Sequence, residues 1–130
     1  MFMFRGFPIA PSVVVFDAAA GGIRLTDRVT GTKYREYVSG GKTLWEAAAA
    51  EDNLDITFIS TRGPVYTDRA TGTKYRKYIS NGIVLKEVIT TVEPEDFLFA
   101  SGAENVMTDR STGTAYREYI NNGNELLEVA

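Results

Sequence analysis

The side chains best able to do chemistry in this sequence come in threes. Asp27-Arg28, Asp68-Arg69 and Asp109-Arg110 each set an acid beside a base, and Glu46, Glu87 and Glu128 follow at matching distances. Paired carboxylates such as Asp27 with Glu46 are what a glycosidase would use. Triplication argues for a different role, because a catalytic cleft is asymmetric whereas a structural device recurs in every copy. In that architectural reading each Asp caps its own turn and each Arg pairs with a Glu. Arg35, Arg76 and Arg117 stand next to tyrosines and could lie on their rings, worth about 0.5–1 kcal/mol where exposed.

Other chemistry is excluded more directly. The chain has no Cys and no His, which removes disulfides, thiolate zinc sites and imidazole acid–base catalysis. Thr30-Gly31-Thr32 is a turn and no phosphate loop, since no Lys follows within it and no helix opens after it. Glu51-Asp52-Asn53-Asp55 and Glu93-Glu95-Asp96 are too sparse for a calcium loop and read as solvated acidic segments. The expectation is a protein that is no enzyme, with no catalytic residue, metal or cofactor.

The elements that must position these residues are set by a repeat. TDRVTGTKYREYVSGGKTLWEA begins at Thr26, and its counterparts begin at Thr67 and Thr108, an offset of 41 each time. Of 22 aligned positions 12 are identical in all three copies, too many for chance. The spacers align in pattern only: Ser12 to Gly22 with Asn53 to Gly63 and Pro94 to Glu104. Each spacer is a short Val-, Ile- or Phe-rich run that predicts a strand. The units therefore span about 12–48, 53–89 and 94–130, forming one domain over 12–130 behind an apolar arm over 1–11.

Within a unit, Asp27, Asp68 and Asp109 open a reversal that Gly31, Gly72 and Gly113 close at positive φ. A Tyr-rich strand returns, and Ser39-Gly40-Gly41, Ser80-Asn81-Gly82 or Asn121-Asn122-Gly123 turns it into a third strand. The product is a β-meander, with Leu44 to Asp52 the one plausible short helical turn. A single unit buries too little to stand alone. Three units of about four strands predict an all-β fold, closed into a three-fold, β-trefoil-like barrel. The alternative is three small β units in a row. Closure is favoured because it hides sheet edges.

Two features break the pattern and become candidate partner-binding residues. The arm holds Phe2, Phe4 and Phe7, which either fold over an open end of the barrel or insert into a neighbouring subunit. Trp45, whose equivalents are Lys86 and Leu127, reads as an exposed aromatic, because Lys86 is hard to place inside. Tyr37, Tyr78 and Tyr119 lie on the strand face away from Tyr34, Glu36 and Val38, where they pack on a neighbouring repeat or meet a partner.

The net charge of −3 gives no general attraction to nucleic acid. No apolar run is long enough to span a bilayer, and Pro8 and Pro11 interrupt the N-terminal one, so no secretory signal is read. A soluble protein made in the cytoplasm is expected.

The core TDRxTGTxYRxYxxxGxxxLxEV, on Asp27 to Glu46, Asp68 to Glu87 and Asp109 to Glu128, resembles a short β-repeat of tailed-bacteriophage structural proteins. The resemblance covers about half of the chain and consists mostly of turn residues. It implies a virion component, an accessory or adaptor of head or tail, whose partners are capsid, tail or fibre subunits or further copies of itself. It carries over no catalytic residue. The rival expectation is a lectin-like module that binds glycans at up to three shallow sites, through Tyr and Asp side chains.

Overall fold

The computed structural model describes residues 15–16, 21–52 and 54–130. The fold is all-β: β1 (Val15–Phe16), β2 (Ile23–Thr26), β3 (Lys33–Ser39), β4 (Lys42–Ala47), β5 (Ile56–Phe58), β6 (Pro64–Thr67), β7 (Lys74–Ser80), β8 (Ile83–Ile89), β9 (Phe97–Phe99), β10 (Val106–Thr108), β11 (Ala115–Asn121) and β12 (Asn124–Val129). The described residues contain no helix, and hence none able to cross a membrane. Leu44 to Asp52 does not form the helical turn its composition suggests. Leu44 to Ala47 pair with Tyr37 to Tyr34, and Ala48 N–H continues the ladder to the Lys33 carbonyl.

Each repeat forms the antiparallel meander its turns dictate. Asp27 N–H donates to the Thr32 carbonyl and Gly31 N–H to the Asp27 carbonyl, with Gly31 at φ 75°. The second turn places Asn81 at φ 51° and Gly82 at φ 78°, the left-handed pair that matches strand twist in a two-residue hairpin.

The fourth strand does not join its own repeat. β5 pairs in parallel with β2, and β9 with β6, so each sheet is completed by the first strand of the next unit. β1 pairs in parallel with β10, completing the last sheet with the first of the described strands. The result is three four-stranded sheets, β4-β3-β2-β5, β8-β7-β6-β9 and β12-β11-β10-β1, joined in a cycle. Among the described residues the strands form these three small sheets, and the expected closure into one trefoil-like barrel is not seen. Among the described residues, hydrogen bonding stops at β4, β8 and β12, which are sheet edges there.

Register also corrects the spacer alignment. Phe58 lies opposite Leu25, Phe99 opposite Tyr66 and Phe16 opposite Met107. Phe16 is thus the equivalent of Phe58, not Thr57, because the stretch before Ile23 is one residue longer than its counterparts. These three phenylalanines are buried with Ile23, Leu25, Val38, Ile79 and Ile120 in one core shared by all units. Phe58, Phe97 and Phe99 meet edge to face, and Tyr66 stacks on Phe99.

Candidate functional site

The recurring Asp and Arg residues act between repeats. The Asp27 carboxylate accepts N–H bonds from Val29 and Thr30 in its own turn, and from Asn81 and Gly82 in the second repeat's hairpin. Asp68 does the same for Asn122 and Gly123, and Asp109 for Gly40 and Gly41. Burial alone would raise the Asp27 pKa; its four backbone donors outweigh that and hold it at about 2.

The arginines follow the same cycle. Arg28, Arg69 and Arg110 form two-pronged bonds to Glu87, Glu128 and Glu46. Their guanidinium groups lie 3.8, 3.8 and 4.0 Å from the ring centres of Tyr78, Tyr119 and Tyr37. A sugar stacking on those tyrosines would find this ring face already covered.

One joint differs. Arg35 and Arg76 are each clamped by a fully buried carboxylate, Asp55 and Asp96, supplied from just before β5 and β9. Arg117 has no such clamp among the described residues. It reaches Glu128 at 3.4 Å, and its buried Nε has no partner there.

At the centre, one position from each repeat converges: Glu36, Lys77 and Glu118, at most 2% exposed. Lys77 Nζ lies 2.9 Å from Glu36 Oε2, 2.7 Å from Glu118 Oε2 and 3.1 Å from Glu125 Oε1. It also faces the Tyr66 and Trp45 rings at 5.1 and 5.6 Å. Tyr66 Oη bonds Glu118 Oε1 at 2.7 Å. Burial would lower the Lys77 pKa, yet the charges of Glu118, Glu36 and Glu125 keep it well above the ordinary value. Burial and the neighbouring Glu118 charge push the Glu36 pKa well above its ordinary value, against the opposing pull of Lys77. Burial also works against ionised Glu118, but the Lys77 charge and the bonds from Lys77 and Tyr66 overcome it and lower its pKa.

This has a pH consequence. A carboxyl whose folded pKa is raised binds protons in the folded state that the unfolded chain has released, so stability falls as pH climbs above its ordinary 4.5. Glu36→Gln keeps a donor toward Glu118 and an acceptor toward Lys77 without titrating. Urea denaturation across pH 5 to 9 is expected to show a decline in the parent that the variant lacks; matching slopes would contradict the assignment.

Trp45 is not a free surface aromatic: it is half-buried and packs on the core, opposite Glu36. Lys86, its equivalent, is accommodated by an ion pair with Glu125 at 3.5 Å. Trp45 also lines an open depression of about 640 Å³, with Lys42, Thr43, Glu118, Glu125 and Leu127. Phe2, Phe4 and Phe7 lie outside the described residues. The convergence of Glu36, Lys77 and Glu118 escapes a motif search, but it has a signal: Arg-Glu-Tyr, Arg-Lys-Tyr, Arg-Glu-Tyr is a charge reversal inside the most uniform stretch of the repeat.

Among the described residues, no three Asp or Glu side chains are grouped so as to hold a metal ion. Comparison with known proteins supplies no relative: no family model, curated protein or solved structure matches the chain.

Proposed function

We propose that this chain is a non-catalytic structural protein of a tailed-bacteriophage virion, an accessory or adaptor of head or tail that joins other virion subunits. One observation carries the assembly reading. The recurring charged residues are committed to one another across repeats, whereas Leu44, Leu85 and Leu126 stay 39%, 40% and 40% exposed on the outermost strands. Ile83, Val88 and Val129 extend this apolar rim along β8 and β12. Edge strands of this kind are surfaces onto which another chain docks. Resemblance of the turn-and-strand motif supports the virion as the setting, and the apolar residues 1–11 offer a second attachment.

Particles assembled with Leu44, Leu85 and Leu126 all changed to Thr are expected to lack the protein by mass spectrometry, although the purified variant keeps its thermal midpoint. Deleting Met1 to Pro11 is expected to have the same effect. Normal incorporation of both variants would refute docking through rim and arm.

A further inference from the structure

We propose that the depression beside Trp45 is a binding site for one neutral, hexose-sized sugar residue. This goes beyond docking through the rim and does not depend on it. A pyranose presents a C–H face, which an aromatic ring covers, and a belt of hydroxyls, which need fixed acceptors. Here Trp45 forms one wall, and Val84, Leu126 and Leu127 add apolar surface. Of the two carboxylates that line it, the partly exposed Glu125 supplies the acceptor, while Lys42 and the Thr43 hydroxyl supply donors at the rim.

Both carboxylates are held before any ligand arrives. Glu118 is fixed by Lys77 and Tyr66 at 2.7 Å each, and Glu125 by Lys77 at 3.1 Å and Lys86 at 3.5 Å. Pre-ordered groups lose little freedom on binding, which is what makes a shallow site effective. The same lysines cancel the carboxylate charge, so a free cation gains little there and a hydroxyl donor is the better fit. The volume of about 640 Å³ is in the range of small-molecule sites. The combination occurs once per chain: Trp45 is replaced by Lys86 and Leu127 in the other repeats, and Glu125 by Thr43 and Val84. It is also separate from the tyrosines, whose rings are covered by arginines.

Trp45 is the only tryptophan, so its fluorescence reports the site directly. Titration of the full chain with glucose, galactose, mannose and N-acetylglucosamine is expected to give a saturable change for at least one, with Kd about 1 mM. A glycan array run in parallel separates the sources: binding there without a monosaccharide response assigns the site to the end of a longer glycan. The exposed Lys42→Ala should weaken binding about tenfold with the thermal midpoint kept, Glu125→Gln should weaken it about tenfold with a lowered midpoint, since it also relieves Lys77 of a charge partner, and Trp45→Ala, followed by calorimetry, should abolish it. Three results would overturn the proposal: no response on either panel, undiminished affinity in both Glu125→Gln and Lys42→Ala, or saturation by methylammonium in place of the sugars.

Discussion

Lys77→Met is expected to destabilise the protein by about 3–5 kcal/mol, because removing one partner of a buried ion pair leaves the others uncompensated. The ammonium is 1% exposed, and its loss would leave Glu118 charged beside Glu36 in the core. Position, more than composition, is what the three-fold arrangement makes testable. Glu36 and Lys77 are equivalent by repeat, so exchanging them leaves one lysine and two glutamates on the axis. Glu36→Lys and Lys77→Glu should each be severe alone, and the double exchange should recover most of the loss. Urea midpoints for the four proteins give the coupling. A double variant as unstable as the two losses added together would contradict convergence on a common centre.

The second large effect belongs to the joint between β1 and β10. Phe16 is 3% exposed and lies in the two-residue strand β1. Phe16→Ala is expected to cost about 3–5 kcal/mol, the usual range for emptying a buried phenylalanine site. Deleting residues 1–16 removes the strand paired to β10 and should leave the last sheet open along that edge. The cyclic exchange also predicts a rescue. Moving residues 1–20 to follow Ala130 would supply that strand from the other direction, as β5 and β9 supply theirs. The permuted chain should unfold cooperatively with a midpoint near that of the parent. Failure of the permutant, with the parent stable, would mean that β1 does more than fill its place beside β10.

Much of the local structure was legible because turn chemistry is local. Asp27, Gly31 and the Asn81-Gly82 pair mark reversals wherever the rest of the chain lies, and the meander follows. What crosses between repeats was not legible. Asp27 shows that it caps a turn, but its two spare acceptor directions toward Asn81 and Gly82 depend on the unit that packs beside it. The placement of β5 beside β2 was hidden for a related reason: Ile56 and Phe58 fit a core strand equally well in either unit. Trp45 was misjudged from Lys86, since a lysine can share a half-buried position when an acid such as Glu125 comes from another repeat. Glu36, Lys77 and Glu118 were overlooked because a charge inside a Tyr-Arg strand reads as solvent-facing until three strands meet around it.

Closure between the two ends bears on how the polypeptide is made. Each of the first two sheets can be finished as soon as the next spacer leaves the ribosome, but the third must pair β10 with β1, which is made two repeats before it. The buried lysine likewise lacks Glu118 until the third repeat has been made. Such distant pairing slows folding and keeps intermediates exposed. A nascent chain stalled before β11 should therefore stay protease-sensitive throughout, with no protected fragment the size of one repeat.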